Sequence, residues 1–332
     1  MNPFKYSART LGLLLSVLGV ATATAQNTQI SGLLFGDAYY VGSNHDEDLD
    51  GRNGLWFRRI YLTFDQNLGD GFSSRLRTEM SQPGDFVTKA KMVPFVKDAY
   101  VKYKTGKHEI IVGLSGTPTW GLLEKVWGYR SVEKTPLDLY KFGSSRDIGI
   151  AAKGSLNGNG TLKYHAMVGN GKKFLLSLAF SPVPSLTLEV YGDLDDREGN
   201  TDRKTLQGSV FYTFDAGNVG VMFARQKRDV EDGDTETFDL FSVFGSFRVS
   251  EKAKVFVRFD RQFQANPSAD KIAYLPFSSL AEETNLFVAG VDIAAGENVH
   301  FMPNIELVMY DDIDGDTPEA TVLPRITFFY KF

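Results

Sequence analysis

The sequence predicts an all-β chain, a sixteen-stranded antiparallel transmembrane β-barrel. Three observations predict it. Apolar and polar residues alternate with period two over segments of about ten to fourteen residues. The connections between segments alternate between tight turns and longer polar loops. The chain also starts with an export-type leader and stops on an aromatic that completes a strand.

The leader comes first in the chain. Lys5 and Arg9 form a charged start, Leu11 to Val20 (LGLLLSVLGV) an apolar run, and Ala23-Thr24-Ala25 a small-residue cleavage site. The apolar run is shorter than the roughly 20 residues a membrane-spanning helix needs. Residues 1–25 are therefore expected to be a cleaved signal peptide and 26–332 the barrel domain. Loss of Lys5 and Arg9 takes the formal net charge from −5 to −7, and nothing in the charge pattern suggests a nucleic-acid partner. The chain has no cysteine, which excludes disulfides and thiolate metal sites and suits an oxidising envelope compartment.

Sixteen alternating segments follow, at 29–41, 55–66, 72–81, 94–104, 108–115, 146–154, 161–169, 173–181, 185–194, 204–214, 218–228, 236–249, 253–264, 284–294, 298–310 and 320–332. In the second, Ile60, Leu62 and Phe64 alternate with Arg59, Tyr61, Thr63 and Asp65. In the third, Phe72, Leu76 and Met80 oppose Ser73, Arg75, Arg77 and Glu79. In the thirteenth, Val255, Val257 and Phe259 oppose Lys254, Phe256, Arg258 and Asp260. Every second connection is tight, as at Thr105-Gly106 and Ala216-Gly217. The others are mostly long and polar, among them 42–54, 82–93 and 265–283; Asn170 to Lys172 is the short exception. Outer-membrane barrels separate their connections in this way, with short turns at the periplasmic end and long loops outside. A closed barrel also pairs every backbone group within the bilayer.

Gly116 to Gly143, after the fifth segment, is too apolar for an exposed loop. It holds Trp120 and Trp127, two of the three tryptophans, with Tyr129, Tyr140 and Phe142. Leu122, Leu123, Val126 and Trp127 share one face of a short helix whose expected cap is Thr119. Such a loop is expected to fold back into the lumen and narrow it. The last segment ends Ile326-Thr327-Phe328-Phe329-Tyr330-Lys331-Phe332, with the apolar members on one parity, as suits closure on the first strand.

On these features the chain resembles a bacterial sixteen-stranded general porin, and its end resembles the C-terminal assembly signal of outer-membrane proteins. Arg58-Arg59-Ile60-Tyr61-Leu62-Thr63-Phe64-Asp65, followed by Leu68-Gly69-Asp70-Gly71-Phe72, resembles the second hairpin of the phosphate-selective porin O and P family. The resemblance implies an outer-membrane channel for passive diffusion of ions and small hydrophilic solutes, a homotrimer, and 116–143 as the constriction loop. It implies no cofactor, no metal and no enzymatic activity. Outer-membrane lipid and lipopolysaccharide are the implied surroundings. Two other readings stay open: a phosphate-type anion channel using Arg59, Arg75 and Arg77, and a non-channel barrel serving as adhesin or receptor.

The expected facing supplies candidate pore-lining residues: Arg59, Arg75, Arg77, Glu79, Lys102 and Arg258 from strands, and Glu124, Arg130, Glu133 and Asp138 from the third outer loop. Opposed basic and acidic rows set a field across a narrow pore. The acidic runs Asp46 to Asp50 and Asp312 to Asp316 have oxygen-rich spacing. Neither completes an EF-hand loop, so both are expected to be exposed loops, bridging at most through divalent ions to lipopolysaccharide. His45, His108, His165 and His300 lie apart, with no hydrolase motif around them.

Overall fold

The computed structural model describes residues 28–86, 92–196, 201–229, 233–279, 281, 283–312 and 317–332. The predicted signal peptide and most of the second acidic run lie outside the described residues. Sixteen strands form one closed antiparallel barrel in which each strand pairs with its sequence neighbours. They are β1 (Thr28–Tyr40), β2 (Asn53–Gly69), β3 (Phe72–Met80), β4 (Phe95–Thr105), β5 (His108–Gly116), β6 (Arg146–Ser155), β7 (Leu162–Gly169) and β8 (Lys173–Val183). The second half holds β9 (Leu186–Asp195), β10 (Asp202–Phe214), β11 (Gly217–Asp229), β12 (Thr235–Arg248), β13 (Ala253–Gln262), β14 (Thr284–Gly296), β15 (Val299–Tyr310) and β16 (Thr321–Lys331).

Closure joins β1 to β16 in the register Leu33↔Lys331 to Tyr39↔Arg325. Phe332 finishes the seam: its N–H donates to the Gly32 carbonyl at 2.9 Å, and its carbonyl accepts from the Gly32 N–H at 3.0 Å. The terminal aromatic strand therefore leaves no sheet edge open.

The barrel is inside-out relative to a water-soluble protein. Outward residues are apolar and exposed, such as Ile150 at 58% and Leu206 at 63%, while inward Gln226, Asp260 and Thr327 are buried. That is a face built for hydrocarbon, with a polar interior. Aromatics mark the short-turn end, where Phe72 meets Tyr103 with ring centres 4.7 Å apart and Phe214 meets Phe247 at 5.7 Å. Such rings sit at a membrane–water boundary.

The register between neighbouring strands shifts at several places, and two of these β-bulges place charged residues. Between β1 and β2, Phe35 faces Arg59 but Gly36 faces Phe57, so Arg58 is the extra residue. Between β3 and β4, Arg77 faces Asp98 but Thr78 faces Val96, so Lys97 is the extra residue. A bulge resets the side-chain parity of its strand. As a result Arg58 and Arg59 both point inward, as do Lys97 and Asp98. At the first bulge the backbones come close: a Cβ on Gly36 would lie 2.0 Å from the Trp56 carbonyl oxygen.

Candidate pore constriction

The third outer loop leaves β5 and folds into the barrel. Its neck is tied by Thr117, whose N–H donates to the Ser145 carbonyl and whose hydroxyl donates to the Ser144 carbonyl. Two helices follow, α1 (Trp120–Trp127) and the single turn α2 (Pro136–Leu139). α1 buries Trp120, Leu123 and Trp127, while Leu122 and Val126 are only half-buried. Thr119 does stand at the helix start, but without capping it. Its backbone sits at φ 69° and no side-chain cap bond forms. Instead its hydroxyl donates to Glu189 on β9 at 3.0 Å. The tertiary contact overrides the local cap preference.

The aromatic payload glues the loop to one side of the lumen. Trp120 meets Tyr191 edge-on at 5.7 Å, Trp127 packs on Phe244 at 5.7 Å, and Tyr129 stacks on Phe256 at 4.2 Å. Beyond Tyr129 the loop is held by ions. Arg58 lies 3.0 Å from Glu133 and 3.5 Å from Asp37, and its guanidinium donates to the Val132 carbonyl. Arg325 lies 3.6 Å from Glu133 and 2.9 Å from Glu306. Arg258 is paired with Asp260 and donates to the Lys134 carbonyl. Burial alone would raise the Glu133 carboxyl, but the Arg58 and Arg325 guanidinium groups outweigh it and hold the pKa at about 2. Burial pushes the Lys134 amine down to about 7, against the pull of Glu133 and Asp138.

Glu133 and Arg258, expected among the pore-lining residues, are therefore fully buried under the loop. They anchor it. The seventh outer loop also folds inward, contrary to its expected polar exposure. Ile272, Tyr274, Leu275 and Phe277 are buried. The Tyr274 ring meets Trp56 at 5.2 Å and lies 5.0 Å from the Arg58 guanidinium. Together the two loops occupy the side of the lumen lined by β9 to β16, β1 and the outer end of β2.

Open space remains between α1 and the wall formed by β3 to β9. This cavity of about 510 Å³ is bounded by Leu122, Glu124 and Lys125 on the loop and by Arg75, Asp98, Tyr100 and Arg146 on the wall. Of the remaining expected residues, Arg75 and Glu124 line it directly, and the others are held in ion pairs elsewhere on the same wall and loop. Arg59 and Lys97 share Glu79 at 2.7 and 3.0 Å. Arg77 and Arg146 share Asp98. Arg75 grips Asp65 through two hydrogen bonds of 2.7 and 2.8 Å. Lys102 and Lys153 share Glu109, each at 3.3 Å. On the loop, Arg130 bridges Glu124 at 3.7 Å and Asp138 at 3.1 Å. Seven cations on β2 to β6 thus meet four carboxylates, a wall of net positive charge, while on the loop Glu124 and Asp138 are matched by Arg130 and Lys125.

Sequence reasoning missed Arg58, Lys97 and Arg146 in this arrangement. A signal was present for the first two. Arg58-Arg59 and Lys97-Asp98 are adjacent charged pairs within strands, and under strict alternation one of each would face lipid. That costs about 2–4 kcal/mol at the midplane for Arg or Lys, so a bulge is the cheaper solution. Of the acidic loops, Asp46 caps a 3₁₀ turn at Glu47–Leu49, its carboxylate accepting from the Asp48 N–H at 3.1 Å. Among the described residues no group of three or more His, Asp or Glu is placed to hold a metal ion.

No family model matches the chain, and no curated protein sequence does. Solved structures do. The anion-selective porin from Comamonas acidovorans superposes with a TM-score of 0.69 at 14% identity, over 92% of this chain and 99% of that one. The fold is that of bacterial outer-membrane porins. Salmonella typhi OmpF gives a TM-score of 0.67 at 12% identity, covering 92% and 98% of the two chains. The trimer form of Vibrio cholerae OmpT gives 0.63 at 14% identity, covering 92% and 99%.

Proposed function

We propose that the protein is an outer-membrane diffusion channel for ions and small hydrophilic solutes, narrowed by residues 116–143. The observation that carries this reading is a closed barrel with an apolar outside whose own loop is pinned to one inner wall. A charged cavity is left along the other wall. Passage through such a pore needs no cofactor or energy source. The signal peptide accounts for export, and the trimer form of the Vibrio protein supports a homotrimer here. Selectivity is set where the wall cations Arg59, Arg75, Arg77 and Lys102, with Glu79 among them, face Glu124, Arg130 and Asp138 of the loop.

A second reading, a preference for small anions, rests on the excess of cations on β2 to β6. Each of those cations is already shared with a carboxylate, which favours weak anion preference over a tight phosphate site. The comparison with an anion-selective porin supports the same sign.

The test is planar-bilayer recording of purified, refolded protein across a salt gradient. Stepwise insertion of open channels is expected, with a reversal potential of anion-preferring sign and no block by added phosphate. A cation-preferring potential would overturn the second reading. Folded, inserted protein that stays silent would overturn the channel itself and favour an adhesin or receptor.

A further inference from the structure

The outer mouth of the barrel holds a second cavity, apart from the one beside α1. It encloses about 360 Å³ between the end of the third loop, the seventh loop and the inward faces of β8 to β10. Of its described lining residues, only Thr117 also lines the cavity beside α1. Lys173 opens β8, Asp195 closes β9 and Arg203 is the second residue of β10, so the cavity lies at the outer rim. Trp120, Phe142 and Leu175, all buried, give it apolar edges.

Strand register sorts the charges of this cavity into rows, because residues two apart share a face. In the outermost row Lys173 faces Asp195, and Asp195 faces Arg203. Lys173 also lies 3.0 Å from Asp147 on β6 and 3.9 Å from Asp195. Two acids and two bases therefore balance there. One row deeper, Asp193 faces Leu175 on one side and Thr205 on the other, neither of them a cation. The hydroxyl of the buried Tyr191 donates to the Asp193 Oδ2 at 2.6 Å and holds the carboxylate in place. Asp193 forms no ion pair among the described residues, and a carboxylate keeps accepting capacity after one such bond. The loop side carries Lys141 on the third loop and Lys271 on the seventh. Neither forms an ion pair among the described residues, and Asp270, next to Lys271, does not line the cavity. The Lys141 backbone is held at φ 62°, its carbonyl accepting from Arg203 at 3.4 Å.

We propose that this cavity is a binding site for a zwitterionic solute of the short-peptide class, its free amine on Asp193 and its carboxylate on Lys141 and Lys271. A carboxylate set among hydrogen-bond donors without a cation lacks a positive partner, which an ammonium group supplies. Two lysines without acids lack the carboxylate. A simple amine would leave both lysines unbalanced, a simple anion would meet Asp193, and a neutral sugar would leave all three charges unpaired. The charges stand on different walls, strand against loop, so an amine and a carboxylate set apart by a peptide unit suit them. A free amino acid holds both on one carbon. As a first stop for solutes approaching the constriction the site rests on the channel reading; as a binding site it depends on the fold alone.

The experiment is titration calorimetry of the refolded full chain in detergent. The probes are alanyl-alanine, its N-acetyl form, which has no ammonium, and its methyl ester, which has no carboxylate. One saturable dipeptide per chain is expected, with either blocked form bound at least about tenfold more weakly, the scale of one lost charge-assisted contact. Asp193→Asn should bring the free dipeptide down to the affinity of its N-acetyl form. Lys141→Met with Lys271→Met should erase the difference between the dipeptide and its methyl ester. Heat-dependent gel mobility checks the folding of each variant, and the comparison of the three probes on the wild-type chain stands without any variant. Absence of saturable binding, equal affinity for the three probes, or folded variants that bind as the wild type does would each overturn the site. Protein that conducts in bilayers but does not bind the dipeptide would overturn the site alone. Protein that binds with this pattern but never conducts would overturn the channel and leave the site standing.

Discussion

Arg58→Met tests the first bulge and the loop anchor together. In the native protein the Arg58 side chain is 1% exposed and pairs with Glu133 and Asp37. Its guanidinium also faces the Tyr274 ring. Methionine fills much of the volume but leaves Asp37, Glu133 and Glu306 with Arg325 as the remaining guanidinium of the cluster. Removing one partner of a buried ion pair costs about 3–5 kcal/mol. The barrel ladder does not depend on this side chain, so the cost falls on docking of the third loop. That multiplies the population of undocked loop by about a hundredfold to a few thousandfold. Trypsin reads that population, because Arg130 and Lys134 become cleavable only when the loop opens, and cleavage then tracks the opening equilibrium. Arg58→Lys keeps the charge but loses the fork and should fall between the two. In the double variant with Glu133→Gln part of the loss should return, since an acid left unpaired is gone. Retained native gel mobility would show that the barrel itself is intact. A cleavage rate within about threefold of wild type in such folded protein would refute the reasoning. Arg58 would then follow strict alternation and face outward.

Reversal of Arg75 and Arg77 to Glu should move the reversal potential toward cation preference, and an unchanged permeability ratio would remove both from the selectivity-setting wall. Lys134→Met should raise the thermal midpoint most at and below pH 7. The folded amine has a pKa of about 7 against an ordinary 10.5, so the unfolded chain binds the extra proton between those values. Stability therefore rises with pH from about 7 to 10.5 and is flat below, and the advantage of the variant should fade over that window. A pH-independent advantage, followed by heat-dependent gel mobility, would show an ordinary amine. Gly36→Ala should lower folding yield or stability by about 1–3 kcal/mol in urea titrations of the folded band, because the added methyl meets the Trp56 carbonyl at the bulge. A neutral result would deny the close approach.

The sequence by itself determined the barrel. Period-two alternation decides which side chains tolerate lipid, the rhythm of turns and loops decides strand order, and Phe332 decides where the seam closes. These are local or nearest-neighbour constraints, so strand positions are legible residue by residue. The inward fold of 116–143 was legible too, because two tryptophans and three other aromatics have no place in an exposed loop. Tertiary structure alone decided which charges face water inside. Two extra residues, Arg58 and Lys97, reset parity on β2 and β4, and a bulge depends on pairing with the neighbouring strand. Glu133 and Arg258 became anchors because the loop lies on β9 to β16 and covers them, leaving Glu124, Arg130 and Asp138 to face the basic wall. The loop's direction across the lumen is set by partners far along the chain, such as Met302 against Ser131, 171 residues apart, and Arg325 against Glu133. No periodicity in the loop itself encodes such a direction. The seventh loop went unread for the same reason: Tyr274 is buried only because Trp56 and Arg58 stand where the first bulge put them.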